Sequence, residues 1–179
     1  CNIKHIVIVG CGTAYYAGLL ASYYMEQLVP DLTTEVVIAS EYRYRSFHLP
    51  EGSVALIVSQ SGETADTLAC LREIKKRGVK TLGIVNVVGS TIAREVDGGT
   101  YVHAGPEISV ASTKAFTAQV VTMLMFAGML AEHHGGNPDL IHQFTKELSI
   151  LPEEISKTLT AHRDEMHELA KKYAKFNDA

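Results

Sequence analysis

Concentrated charge is scarce in this 179-residue chain: 16 Lys and Arg against 20 Asp and Glu leave a net charge of −4. No dense cationic stripe with interleaved aromatics appears, which excludes the usual nucleic-acid-binding surface. Cysteine is scarce too. Cys1, Cys11 and Cys70 form neither a CxxC pair nor an even set, so a disulfide framework is excluded and a reducing, cytoplasmic compartment is expected. No signal-peptide pattern opens the sequence. The longest apolar stretch, Ala115 to Ala131, is interrupted by Thr117, Gln119, Thr122 and Gly128. It is too short and mixed for a comfortable membrane span and reads as a helix buried on most sides, so no membrane partner is expected. Internal repeats and low-complexity tracts are also missing. What is present is 46% hydrophobic residues, enough to bury one good core in a single domain over residues 1–179.

Strand and helix patterns alternate through the first two-thirds. Ile6-Val7-Ile8-Val9 is a β-branched run of the kind buried on both faces of a parallel sheet. Thr13 to Leu28 then reads as a helix, with Leu19, Leu20, Tyr23, Tyr24 and Leu28 on its inner side. Glu35–Ile38 is a second strand and Ser40 caps a short helix through Arg45. The strand Val54–Val58 and the helix Ala65–Arg77 follow, with Gly78 as a stop. Thr81–Val85 is the fourth strand, Ser90–Val96 a short helix and Thr100–His103 a weaker fifth strand. Such repeated units imply an α/β fold, a three-layer αβα sandwich around a five-stranded parallel sheet. Beyond residue 112 only helices are expected. Ser112 would cap the apolar helix, Gly135-Gly136-Asn137-Pro138 would stop it, and a helical hairpin broken at Pro152 would run to the end. The reading therefore divides the chain into a 1–134 core and a 138–179 helical extension. In the extension Ile155, Leu159, Met166, Leu169 and Tyr173 share one side, an apolar stripe suited to docking. Both ends look cut, and we expect one excised domain of a larger protein.

The densest chemistry lies at Ser59-Gln60-Ser61-Gly62-Glu63-Thr64, between the third strand and the helix after it. A hydroxyl-rich, glycine-containing turn there gathers backbone N–H groups and the positive end of the helix dipole at one spot. Three hydroxyls and an amide can join them, and no lysine or arginine crowds the turn. That describes a pocket for a small anion such as a sugar phosphate, held by neutral donors. A plainer reading makes Ser61 an ordinary N-cap, with Glu63 favouring the dipole.

Other candidates carry less. Gly10-Cys11-Gly12-Thr13-Ala14 follows the first strand as a dinucleotide fingerprint would, but Tyr15 stands where the third glycine is needed. No acidic residue ends the second strand cleanly to take a ribose. What remains is a tight turn exposing backbone and the Thr13 hydroxyl at the carboxyl edge of the sheet. The first and third strands are natural neighbours of a topological switch point, so both turns would face one pocket. The segment Ala104 to Lys114 offers a third loop, in which Val110 and Ala111 could present backbone groups to sugar hydroxyls. Lys114 could be a catalytic amine or a solvated helix-start lysine. Among acids, Glu63 should face outward as a dipole-stabilised carboxylate, and Glu107 is the better local candidate for a base. Among the eight histidines, His162 and His167 are five apart and do not share a helical face, so no metal is assigned. Nor is any cofactor. Cys1 precedes a polar lead-in without an oxyanion motif and reads as a truncation scar rather than a nucleophile.

Taken together, Cys11-Gly12-Thr13, the nine-residue string Ser59–Thr67 and Ala111-Ser112-Thr113-Lys114-Ala115-Phe116 resemble the sugar isomerase (SIS) family, whose fold is flavodoxin-like. More narrowly, they resemble the isomerase half of the glutamine:fructose-6-phosphate aminotransferases, which make glucosamine 6-phosphate. The runs Ala39–Arg45, Asn86–Ser90 and Arg94–Asp97 are similar as well. This resemblance implies that Ser59, Gln60, Ser61 and Thr64 hold the phosphate of fructose 6-phosphate, with Thr13 nearby and Val110 touching the sugar. It implies a second SIS subdomain and a glutaminase domain as partners within a longer protein, and catalytic groups that all lie in the second subdomain; the apolar stripe of the terminal helix separately leads us to expect a homodimer. The alternative is a regulatory SIS module that binds a phosphosugar effector. One departure stands out: the family usually has Ser after Cys-Gly-Thr, whereas this chain has Ala14.

Overall fold

The computed structural model describes residues 3–108 and 111–176. Five strands, β1 (His5–Gly10), β2 (Thr33–Ile38), β3 (Ser53–Ser59), β4 (Lys80–Val85) and β5 (Gly98–Tyr101), form one parallel sheet in the order β2-β1-β3-β4-β5. Between and after them run α1 (Thr13–Leu28), α2 (Ala39–Tyr42), α3 (Ala65–Lys76), α4 (Thr91–Glu95), α5 (Lys114–His133), α6 (Pro138–Ala161) and α7 (Arg163–Tyr173). The expected α/β sandwich is therefore present. Helices α1 and α5 pack together on one face of the sheet, and α2, α3 and α4 occupy the other. Continuous β-branched runs follow from this two-sided cover: Ile6, Val7, Ile8 and Val9 are all fully buried. On the α3 face, Val7, Val9, Ala55 and Ile57 meet Cys70, Leu71 and Ile74 from α3 and Tyr42 from α2.

The inner face of α1 differs from the expectation. Ala14, Ala17, Gly18, Ala21, Ser22, Met25 and Leu28 are buried, whereas Leu20 and Tyr23 are exposed, Tyr23 by 61%. Small residues win that face because α1 is pressed between sheet and α5. A Cβ on Gly18 would lie 2.7 Å from Ile8 Cγ2 and 3.3 Å from Val36 Cγ1, so larger side chains turn outward. Strand β5 begins earlier than expected, because Gly98 and Gly99 pair with Leu82 and Gly83 instead of forming a turn. His103, with φ 52, lies past its end.

By contacts the chain divides into two compact units, Cys1–Ile141 and His142–Ala179, with the boundary inside α6. Pro152 does not break that helix. One missing N–H is tolerated over 24 residues, and the interruption comes at His162, which starts α7. In the second unit Ile155, Leu159, Met166, Leu169 and Tyr173 are all exposed, and Lys157 pairs with Glu153 and Glu154 at 3.0 and 2.9 Å. Helix α5 is long and apolar enough to cross a membrane, yet Ala115, Met123, Ala127 and Ala131 are buried within the first unit.

Replacing Gly18 by Val should cost roughly 1–3 kcal/mol through overpacking against Ile8 and Val36, read as a lower urea midpoint. An unchanged midpoint would mean that α1 can lift off β1 freely.

Candidate functional site

The chain reverses direction across the sheet between β1 and β3, because β2 lies beyond one and β4 beyond the other. Ligand crevices open at the carboxyl ends of strands at such a point. Two turns meet there. Cys11, Thr13 and Ala14 from the β1–α1 turn, and Val58, Ser59, Gln60, Ser61 and Thr64 from the β3–α3 turn, line one cavity of about 120 Å³, with Gln119 of α5. The structure thus brings Thr13, Ser59, Gln60, Ser61 and Thr64 together. Val110 lies outside the described residues.

The β3–α3 turn is fixed from inside. Gly62 N–H donates to Ser59 Oγ at 3.0 Å, and Glu63 N–H donates to Ser61 Oγ at 3.2 Å. Thr64 Oγ1 lies 3.3 Å from Ser59 Oγ and 3.5 Å from Ser61 Oγ, so the three hydroxyls form one chain. Thr64, not Ser61, is the N-cap residue of α3, and its side chain makes no capping bond. The first N–H groups of α3 therefore point outward beside those hydroxyls. Gly62 is required twice over. Its φ is +66, and a Cβ there would fall 2.0 Å from Ser90 Oγ and 2.8 Å from Val85 Cγ1. Its carbonyl accepts from Ile92 N–H at 3.0 Å, and Gln60 O accepts from Asn86 and Val87 N–H at 3.3 and 3.2 Å. The turn is bolted to the β4–α4 connection on its far side.

Both carboxylates at this edge are committed to other helices. Glu63 Oε1 accepts from Thr91 N–H at 2.7 Å, and that bond draws its pKa below the usual range. It serves the start of α4, not the α3 dipole as expected. Glu107 Oε1 accepts from Thr113 N–H at 3.1 Å, and its Oε2 from Ala115 N–H at 3.2 Å and Ser112 Oγ at 3.2 Å. The Thr113 bond, with the others behind it, lowers its pKa. Ser112 is therefore not the cap of α5; Glu107 satisfies those N–H groups from six residues upstream of Thr113. Asn86 holds the same loop, donating to Gly105 O and accepting from Ala104 N–H, both at 2.8 Å. Lys114 is exposed at the α5 start and is not among the lining residues. No group of three or more His, Cys, Asp or Glu among the described residues is placed to hold a metal.

Sequence reasoning passed over Gln119, noticing it only as an interruption of an apolar run. One signal was available: a lone amide whose helical neighbours four residues away, Ala115 and Met123, are both apolar.

The SIS domain model matches residues 1–129. The chain belongs to the SIS domain family. Within it, the sequence is 44% identical over 174 residues to the glutamine–fructose-6-phosphate aminotransferase (isomerizing) of Clostridium tetani, covering 97% of this chain and 28% of that protein. Similarity to the enzyme of the same name from Chlorobaculum tepidum is 45% over 169 residues, 94% of this chain and 27% of the other. The solved C-terminal domain of glucosamine-fructose-6-phosphate aminotransferase from Francisella tularensis superposes with a TM-score of 0.89 at 38% identity, covering 96% of this chain and 49% of that one. This SIS domain thus spans between a quarter and a third of its curated relatives' length.

Two outcomes follow from the turn and its neighbour. Gly62→Ala should cost on the order of 2–4 kcal/mol, since left-handed strain and a clash with Ser90 add; a thermal midpoint equal to wild type would refute this. For Glu107, a folded pKa below the ordinary 4.5 means its stabilisation is complete above that value and is lost as pH falls through the folded pKa. The Thr113 and Ala115 amide resonances should then titrate together below pH 4.5. Titration at or above that pH would show the carboxylate is not held as described.

Proposed function

We propose that this SIS domain seats the phosphate of fructose 6-phosphate over the Ser59–Thr64 turn. In this reading the longer protein that contains it makes glucosamine 6-phosphate from fructose 6-phosphate and glutamine. The observation that carries the reading is the convergence, at the switch point, of three linked hydroxyls with the N-terminus of α3. In this reading Ser59, Gln60, Ser61 and Thr64 hold the phosphate, with Thr13 nearby and Val110 touching the sugar. Similarity to named aminotransferases across nearly the whole chain supports the choice of sugar.

The groups at hand favour anchoring over chemistry. Aldose–ketose interconversion needs a base near neutrality within reach of the reacting carbons. Glu63 and Glu107 are held as carboxylates by backbone N–H donors, with pKa values drawn down, which makes both poor bases. The domain positions the sugar, and proton transfer and amination belong to a second SIS subdomain and a glutaminase domain in the same polypeptide. A single SIS domain with a 1–134 core and a 138–179 helical extension, a homodimer and a cytoplasmic location complete the proposal.

Changing Ser61 and Thr64 together to Ala should weaken fructose 6-phosphate binding by roughly 1–3 kcal/mol, the range for buried donors lost from a charged acceptor. Equal dissociation constants by calorimetry would move the phosphate to another site.

A further inference from the structure

Gln119 is 1% exposed, and its Nε2 is buried without a hydrogen-bond partner among the described residues. It sits one turn from Ala115 and one from Met123 on the inner side of α5, both fully buried. A carboxamide withdrawn from water and left unpaired is costly, and an apolar residue of similar size would fit the helix better. A glutamine kept there to hold α5 in place would show that bond, and its nitrogen shows none. The side chain does reach one polar surface: it lines the same cavity as Ser59, Gln60, Ser61 and Thr64.

We propose that Gln119 is a phosphate-binding residue of this pocket, its carboxamide donating an N–H to an oxygen of a sugar phosphate monoester seated over the Ser59–Thr64 turn. The proposal rests on the phosphosugar reading above. Donors confined to one turn and one helix end approach a tetrahedral phosphate from one side. Gln119 comes from α5, a separate element, and reaches oxygens that the turn does not serve. A half-turn of the amide about its last bond exchanges oxygen for nitrogen, so the group can present a donor to the anion. The bound ester thereby gives a partner to the lining side chain whose buried nitrogen has none among the described residues.

Gln119→Met keeps the volume and removes the amide. In the protein it should weaken fructose 6-phosphate binding about 10- to 100-fold, the range for a lost bond to a charged group, while the ligand-free melting temperature stays level or rises. The wild-type Gln119 side-chain amide protons should shift on addition of fructose 6-phosphate, and not on addition of fructose. The Ser61→Ala/Thr64→Ala variant, run beside it, separates the possible failures. If that variant loses affinity while Gln119→Met binds as wild type, Gln119 has no binding role and the phosphosugar reading survives. Lowered ligand-free stability with undiminished affinity would likewise overturn the proposal, making Gln119 a structural residue satisfied by a buried water. If the wild type fails to bind, or neither variant alters affinity, the phosphosugar reading falls and takes this proposal with it.

Discussion

Everything at the carboxyl edge depends on the pairing of β1 with β3, which runs in parallel register from His5↔Ser53 to Val9↔Ile57. That ladder sets the ends of the two strands side by side. The first chain exit leads to α1 and the second to α3, on opposite faces of the sheet, so the two turns part and leave a crevice between them. Neither turn has slack. Gly10 sits so tightly beneath α1 that an added Cβ would stand 3.0 Å from Ala14 C and Tyr15 N, and Gly62 is seated against Ser90. A register shift of one residue would put β-branched side chains into the helical layers in the wrong order and move both turns out of reach of each other.

Around that crevice, side chains rather than packing fix the loops. Glu63 holds the start of α4, Asn86 the segment at Ala104 and Gly105, and Glu107 the start of α5. Each binds backbone groups that a helix end or loop leaves unpaired. The acids at this edge are thereby turned away from the cavity, and the cavity lining contains no cation either. An anion entering would meet dipoles already oriented, with the nearby carboxylates engaged by backbone N–H groups outside the cavity lining. That arrangement limits the reorganisation needed on binding, which is the main advantage a rigid neutral site has over flexible lysines.

The order of strands and helices was legible because parallel strands buried on both faces write themselves as Val/Ile runs and the turns carry Gly, Ser and Thr. The Ser59–Thr64 cluster was legible for the same local reason. What failed to show in the sequence depended on partners distant along the chain. The inner face of α1 was misread toward Leu20 and Tyr23, since the reading assumed that large apolar residues face inward; in the first half of the helix Ala14, Ala17, Gly18 and Ala21 take that face, with Ile8 and Val36 against Gly18. The role of Ser112 was misassigned because Glu107 reaches the same N–H groups. Glu63 was linked to the nearest helix dipole although its partner, Thr91, is 28 residues away. Gln119 looked like an imperfection in an apolar helix until the fold set it beside Ser59.

The free-state bonding of the pocket also decides which donors matter most for affinity. Ser59, Ser61 and Thr64 already share hydrogen bonds among themselves and with the Gly62 and Glu63 N–H groups. When such a hydroxyl turns to an incoming oxygen it exchanges one bond for another, and the net gain is typically about 0.5–1.5 kcal/mol. Gln119 has an amide nitrogen with no bond among the described residues to give up. Its penalty is borne in the ligand-free protein, so pairing it on binding recovers a desolvation cost of roughly 1–3 kcal/mol. If a phosphate binds as proposed, the hydroxyl chain would supply geometry within this small cavity, and the buried amide would supply a larger share of the binding free energy than any single hydroxyl. A site built this way gives up stability when free in return for affinity when occupied, the coupling by which a ligand that binds only the native state stabilises it.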